Sequence, residues 1–297
     1  MVEAIVQTAP AKINLALHVT RRREDGYHDL ESLIVFADIF DELEATPAEE
    51  DGLTIAGPFS RGLGAGPTNL VLRAIAAFRA RWPALTPPGL SLHLTKNLPV
   101  AAGIGGGSAD AAAALRIMAG LSAEPVPVAD LADLAATLGA DVPACLLSRP
   151  LVARGVGEIL SPLPEFPQLY VTLVNPGVAV ATADVFRRLR AHDNYPLPAL
   201  PEPLTRPAQL GLWLNETRND LQPPAVKLVP EIGVLIDELA ETPGCMLARM
   251  SGSGATCFAL FASEAAASRA AVCARESTSG SARTPLSAAR RRGCTAR

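Results

Sequence analysis

Apolar and polar residues alternate from residue 12 to 19: Ile13, Leu15, Leu17 and Val19 share one face, and Lys12, Asn14, Ala16 and His18 share the other. That period of two predicts a half-buried strand with a solvated polar face that points Lys12 and Asn14 the same way. Arg23-Glu24-Asp25-Gly26 reads as a turn, Asp-Gly being a hairpin signal, and Tyr27 and His28 lead into a second strand over 30–37. A helical period follows. Val71, Ile75, Phe78 and Trp82 form one apolar stripe, with Thr68 placed to cap it. Leu90, Leu92 and Leu94 alternate in a short strand. Helices are expected over 108–119, stopped by Gly120, and over 128–138, closed by Gly139. Together these elements make a compact α+β domain over 1–158.

The pattern restarts at an apolar strand over 169–174, broken by Asn175-Pro176-Gly177. Thr182 is placed to cap a short helix through Phe186 and Leu189. A proline-rich connection over 196–207 precedes further helices, one of them over 230–241. Strands over 245–250 and 256–261 flank a second glycine turn, Ser251-Gly252-Ser253-Gly254. Strands with helices on one face predict a second α+β domain over 159–275. Beyond it Leu286 is the one large aliphatic residue, so 276–297 is expected to be a disordered basic tail.

A chain of 297 residues suits two domains, and its composition is that of a soluble globular protein. The net charge of −4 argues against a nucleic-acid or anionic-membrane partner, so any anion binding must be local. No apolar run approaches the ~20 residues of a membrane span, and Met1-Val2-Glu3-Ala4 lacks a basic signal region. A cytoplasmic chain is expected. Five cysteines without C-x-x-C spacing predict free thiols, with neither a disulfide framework nor a zinc site.

Candidate chemistry centres on Pro99-Val100-Ala101-Ala102-Gly103-Ile104-Gly105-Gly106-Gly107-Ser108-Ala109, where glycines pass into an alanine-rich helix. The glycines let backbone approach a ligand closely, and the helix start leaves N–H groups unpaired at the positive dipole end. The combination predicts an anion cradle, most simply for phosphate. It is not a Walker A loop, because no lysine follows. Nor is it the dinucleotide fingerprint, which meets Ser108 where its last glycine belongs.

Four other segments could join this site. Pro10-Ala11-Lys12-Ile13-Asn14 offers a compact positive charge and an amide that both donates and accepts. Gly26-Tyr27-His28-Asp29 has a ring to stack on a base and an imidazole to bond its edge, or is a plain surface turn. In Gly139-Ala140-Asp141-Val142-Pro143 a carboxylate follows a helix C-terminus, where the dipole disfavours it unless a cation or a chemical task compensates, or is a turn aspartate bonding its own backbone. Ser251-Gly252-Ser253-Gly254 offers further donors to phosphate, a plain hairpin being the equal alternative.

In order and spacing these segments resemble the GHMP kinase superfamily. Its P-x-K-x-N strand, its P-x-x-x-G loop rich in Gly and Ser, and its G-x-G-[AS] turn correspond to residues 10–14, 99–109 and 252–255. Asp25-Gly26-Tyr27-His28, Leu138-Gly139-Ala140-Asp141-Val142-Pro143 and Gly155-Val156-Gly157-Glu158 further resemble the branch whose alcohol substrate carries a cytidine diphosphate. The resemblance covers residues 5–270. It implies an α+β, two-domain GHMP kinase fold. The N-terminal domain would be ribosomal protein S5 domain 2-like with a left-handed β-α-β unit, and the C-terminal domain ferredoxin-like.

The same resemblance implies ATP-dependent phosphorylation of the C2 hydroxyl of a methylerythritol group in non-mevalonate isoprenoid precursor synthesis. ATP would lie along Pro99, Val100, Ala101, Ala102, Gly103, Ile104, Gly105, Gly106, Gly107, Ser108 and Ala109. Asp141 would be the general base with Lys12 as its charge partner, and Asn14, Tyr27, His28 and Phe186 would hold the cytidine end. Mg²⁺ is expected with the nucleotide, Ser108 and Asp110 being the nearest candidate ligands. The alternatives are another GHMP kinase acting on a non-nucleotide alcohol, or a non-catalytic nucleotide-binding relative. Two departures from the family pattern stand out. Ala101-Ala102 replace a frequent Gly-Gly, a change tolerable at negative φ, and nothing after Val272 resembles the family's closing apolar strand.

Overall fold

The computed structural model describes residues 4–87, 89–276 and 284–290. Two long strands open it, β1 (Ile5–Arg22) and β2 (His28–Ala48), which pair with each other. The expected turn joins them: Gly26 takes φ +87°, and the Arg23 N–H donates to the Tyr27 carbonyl at 2.8 Å. β1 itself departs from expectation. Residues 11–19 are buried throughout, Lys12, Asn14 and His18 included. The polar alternation therefore marks a second buried face, and buried polar groups need partners where solvated ones do not. His18 has two. Its Nε2 accepts the Arg218 N–H at 3.1 Å, so its Nδ1 carries the proton and donates to the Tyr195 carbonyl at 3.0 Å. Burial, the largest influence, pushes its pKa down and favours this neutral form.

By contacts the chain separates into two compact units, and neither is one linear segment. The first comprises Met1–Ala11, Phe40–Val100 and Gly105–Ser148. In it, β3 (Gly52–Ala56) runs parallel to β4 (Gly89–Thr95), which pairs antiparallel with residues 42–48 of β2. Helix α1 (Leu70–Arg81) bridges the parallel pair. Asn69, not Thr68, caps it, accepting the Val71 N–H at 3.0 Å. Both are good capping types, and the chain position of the first turn decides between them. Val71, Ile75 and Phe78 bury the expected stripe. Then follow α2 (Gly106–Leu121), α3 (Val128–Leu138) and α4 (Val142–Leu147). Gly120 continues α2 instead of stopping it. Ala109, Ala111, Ala112, Ala113 and Ala114 are buried, and their methyl-sized side chains let α2 pack closely against α1 and α4.

The second unit comprises Lys12–Ile39, Ala101–Ile104 and Arg149–Arg297. The expected boundary at residue 158 is therefore not where the compact units divide, because β1 and β2 are long enough to contribute to both. Residues 30–34 of β2 pair with β5 (Leu151–Gly155), which pairs with β6 (Ile159–Pro162). A separate antiparallel sheet holds β7 (Tyr170–Asn175), β8 (Cys245–Met250), β9 (Cys257–Phe261) and β10 (Thr284–Arg290) in the order β10-β7-β9-β8. Between β7 and β8 lie α5 (Thr182–Arg187), α6 (Pro207–Asn215), α7 (Gln222–Leu228) and α8 (Glu231–Ala240), and between β9 and β10 lies α9 (Glu264–Glu276). This order is the ferredoxin-like arrangement that the resemblance implied. Ile232, Leu235 and Leu239 of α8 join Ala266, Ala267 and Ala270 of α9 in one core with Cys257, Ala259 and Phe261.

Part of the stretch expected as a disordered tail is a strand, β10. It lies antiparallel to β7, Thr284 opposite Asn175 and Arg290 opposite Tyr170. The β7 edge presents N–H and C=O groups that extended backbone can satisfy without an apolar side-chain pattern, so composition was a poor guide. The rest of the tail, 277–283 and 291–297, lies outside the described residues. Among the described side chains, Cys145, Cys245 and Cys257 are free thiols, as expected. No described helix is long and apolar enough to cross a membrane.

Candidate active site

The glycine loop is held by backbone packed on backbone. In the second unit the Lys12 N–H donates to the Ile104 carbonyl at 2.9 Å, and the Thr256 N–H donates to the Ala102 carbonyl at 3.1 Å. The Ser251 hydroxyl donates to the Gly103 carbonyl at 3.0 Å and accepts the Asn14 N–H at 3.1 Å. Gly103 takes φ +74°, and a Cβ there would lie 2.5 Å from the Ser251 carbonyl oxygen and 2.7 and 2.8 Å from the Gly254 O and N atoms. No side chain fits. The second glycine turn is thus a brace for the first. Ser251 and Ser253, expected to offer phosphate donors, are engaged within the protein, Ser253 with Thr182 at 2.8 Å. Ala101 also departs from expectation: it takes φ +51°, a left-handed conformation that costs an alanine about 1 kcal/mol.

In the first unit Gly105 is the N-cap of α2 at φ +65° and supplies no side-chain acceptor to the first turn. The N–H groups there, at the positive dipole end, are those expected to cradle an anion. Beside it lies a buried ionic cluster that the sequence did not reveal. Lys96 Nζ, 3.1 Å from where a Gly106 Cβ would stand, donates to Asp110 at 2.7 Å and also to Asp41. Asp41 further accepts the Asn97 and Leu98 N–H groups at 2.5 and 2.7 Å. One ammonium serves two buried carboxylates. Burial pushes the Asp110 pKa up to about 7, with Lys96 opposing the rise and Asp41 adding to it. Asp110 Oδ1 is buried without a partner.

Asp110, expected as a candidate Mg²⁺ ligand, shares the Lys96 ammonium with Asp41 through Oδ2. Among the described residues no group of three or more His, Cys, Asp or Glu could hold a metal. Backbone N–H groups such as those at the α2 start are the donors that nucleotide phosphates accept.

Asp141 stands at the N-cap of α4 with φ −84°. Read from sequence it follows a helix C-terminus. The structure puts it at the positive end of the next helix as well, so the α4 dipole offsets that of α3. Arg116, missed in the sequence, anchors this region. Its Nη1 donates to the Cys145 carbonyl of α4 at 3.0 Å, its Nη2 to the Thr8 carbonyl at 2.7 Å and its Nε to Gln7 Oε1 at 3.2 Å. Lys12 belongs to the second unit and is only 5 % exposed.

The expected acceptor residues Asn14, Tyr27, His28 and Phe186 all belong to the second unit. Asn14 Nδ2 donates to Ser32 Oγ at 2.7 Å, which in turn donates to the Ala16 carbonyl at 2.7 Å. Asn14 Oδ1 is buried without a partner, an acceptor that a ligand donor would satisfy. Tyr27 is 65 % exposed. His28 and Phe186 stack directly, with centroids 5.1 Å apart and planes 27° from parallel. That spacing leaves no room for a third ring between them, so a base on Phe186 must use the face turned away from His28. His192 also contacts His28, its Nδ1 lying 3.1 Å from His28 Nε2. No local sequence signal pointed to it.

Residues 69–149 match the family described as GHMP kinases N terminal domain, and residues 197–278 match GHMP kinases C terminal. Over 268 residues the chain is 52% identical to a 4-diphosphocytidyl-2-C-methyl-D-erythritol kinase of Rhizobium leguminosarum bv. trifolii (strain WSM2304), spanning 90% of this chain and 89% of that one. A protein of the same description from Dinoroseobacter shibae (strain DSM 16493 / NCIMB 14021 / DFL 12) is 50% identical over 263 residues, 89% and 88% of the two chains. A crystal structure of 4-(cytidine 5'-diphospho)-2C-methyl-D-erythritol kinase shows a TM-score of 0.76 at 34% identity, covering 96% of this chain and 99% of that one. A homoserine kinase from Cytophaga hutchinsonii, at 21% identity over 99% and 97% of the two chains with a TM-score of 0.69, shares the fold. Motif, fold and relatives agree: the chain belongs to the GHMP kinases, a family of ATP-dependent small-molecule kinases.

Proposed function

We propose that this kinase transfers the γ-phosphoryl group of ATP to the C2 hydroxyl of 4-diphosphocytidyl-2-C-methyl-D-erythritol, a step of non-mevalonate isoprenoid precursor synthesis. The observation that carries the proposal is the His28–Phe186 stack adjoining the exposed Tyr27. Aromatic faces and an imidazole edge suit a nucleobase, and an acceptor such as homoserine or mevalonate has no ring to meet them. The descriptions of the relatives at 52% and 50% identity support the same substrate.

In this reading the α2 start and residues 99–109 bind the ATP phosphates through backbone N–H groups. Asp141 takes the proton of the C2 hydroxyl as that oxygen bonds to the γ-phosphorus, and the bond to the β–γ bridging oxygen breaks to release ADP. Lys12 orients Asp141 and balances its charge. Asn14, Tyr27, His28 and Phe186 hold the cytidine end, with Asn14 Oδ1 accepting from the substrate. Mg²⁺, bound with the nucleotide, supplies charge neutralisation on its phosphates.

The test is ATP-dependent phosphorylation of four acceptors: the cytidine-diphosphate compound, its free methylerythritol phosphate portion, homoserine and mevalonate. Turnover of the first alone is expected. Comparable turnover of homoserine or mevalonate would refute the substrate. Asp141→Asn should lower kcat about 10²- to 10⁴-fold while ATP still binds, and normal turnover would exclude Asp141 as base.

A further inference from the structure

We propose that His192 is a positioning residue of the acceptor subsite: it engages His28 Nε2 so that His28 meets the substrate with Nδ1 as an N–H donor. This rests on the cytidine-diphosphate reading above. The two bonded nitrogens are 3.1 Å apart while the ring centroids are 5.1 Å apart, with planes 29° from parallel. The imidazoles are stacked in near-parallel planes, and one nitrogen of each lies within hydrogen-bond distance of the other. Phe186 covers a face of His28 at the same time. A ring gripped at one nitrogen and covered on one face keeps its orientation, and Nδ1 is the nitrogen left over.

Proton counting then sets the chemistry. One proton must lie between His28 Nε2 and His192 Nδ1, since two bare nitrogens or two N–H groups would oppose each other. If His192 donates, neutral His28 carries its own proton on Nδ1. If His28 donates, its Nδ1 is bare. Burial, then His192 and Arg22, push the His28 pKa down, so the choice at neutral pH lies between these tautomers. A cytidine diphosphate offers oxygen acceptors in its base carbonyl and its phosphates, which select the tautomer in which His192 donates, whereas its exocyclic amine is a donor that would select the other; the acceptors outnumber it, and we assign the first.

The experiment compares His192→Ala with His192→Asn, whose side-chain amide presents a non-titrating N–H in place of the imidazole Nδ1. His192→Ala should raise KM for the cytidine-diphosphate acceptor about fivefold and leave kcat and the ATP KM within about twofold. His192→Asn should restore the acceptor KM. Nitrogen NMR of the substrate-free wild-type protein should show His28 protonated at Nδ1 and bare at Nε2, with His192→Ala losing that preference. Weaker inhibition by both cytidine and CDP in His192→Ala would assign the contact to the base, and by CDP alone to phosphate. An unchanged acceptor KM, an equal rise in the ATP KM, failure of asparagine to rescue, or a bare Nδ1 in the wild type would overturn the proposal. If the enzyme instead phosphorylates a different alcohol, the substrate reading fails, while the NMR result still decides the imidazole pair.

Discussion

Gly103→Ala places a methyl group against three backbone atoms at 2.5, 2.7 and 2.8 Å, none of which can swing away as a side chain would. Two costs combine. A left-handed alanine at φ +74° costs about 1 kcal/mol, and forcing a methyl into occupied space costs about 1–3 kcal/mol more. Relief requires the loop to part from the 251–254 turn, which stretches the bonds from Ser251 to Gly103 and from Thr256 to Ala102. The expected loss is about 3 kcal/mol. Gly26→Ala is the control, because Gly26 takes φ +87° with nothing within 4 Å of a Cβ and so carries only the dihedral cost, about 1 kcal/mol. Urea unfolding followed by fluorescence has a reporter in each unit, Trp82 in the first and Trp213 in the second. The midpoint seen by Trp213 should fall further in Gly103→Ala than in Gly26→Ala, and the ATP KM should rise about tenfold or more in Gly103→Ala alone. Equal midpoints would show that the two turns do not hold their close approach in solution.

The buried cluster separates two substitutions of similar size. Lys96→Met strands two carboxylates and should cost about 3–5 kcal/mol by chemical denaturation, whereas Asp110→Asn keeps the Lys96–Asp41 pair and should be tolerated at pH 7. Because the folded-state pKa of Asp110, about 7, lies above its ordinary 3.8, the folded protein retains a proton that the unfolded chain releases. Stability from this group is full below 3.8 and declines as pH rises toward 7. Asp110→Asn should flatten that slope, and parallel pH profiles would contradict the assignment. His18 carries the opposite sign. Its lowered pKa makes its contribution full above 6.5 and lost as pH falls below that value, so urea midpoints at about pH 7.5 and about pH 5.5 should differ more in the wild type than in His18→Asn. Arg249 donates to the Leu15, Leu214 and Thr217 carbonyls, and Arg249→Leu should cost about 3 kcal/mol in stability. Arg249→Lys should recover only part of it, because one ammonium cannot span the three carbonyls. Full recovery with lysine would show that charge, not the guanidinium fork, matters there.

Elements whose pattern reflects their own geometry were legible with good bounds. The strand expected over 245–250 and the helix expected over 128–138 coincide with β8 and α3. The readings that failed concern partners. β1 has no solvated face because His18 and Asn14 find their partners in Tyr195, Arg218 and Ser32. Residues 284–290 form β10 because their extended backbone pairs with the β7 edge. In the candidate site the glycine loop, Lys12, Asn14, Tyr27, His28 and Asp141 were visible as motifs, and Phe186 came only through the resemblance. Arg116, Asp41 and His192 were not, since isolated residues of these types carry no period or spacing.

The sequence by itself determined the elements with a clear period, the glycine loop at a helix start and the resemblance that names the family. These properties are written in neighbouring residues. Tertiary structure alone decided which polar groups are engaged with one another: Ser251 with Gly103 across 148 residues, Lys96 with Asp41 across 55 and His28 with His192 across 164. Hydrogen bonds and ion pairs depend on distance in space, and a periodicity read along the chain holds no record of it.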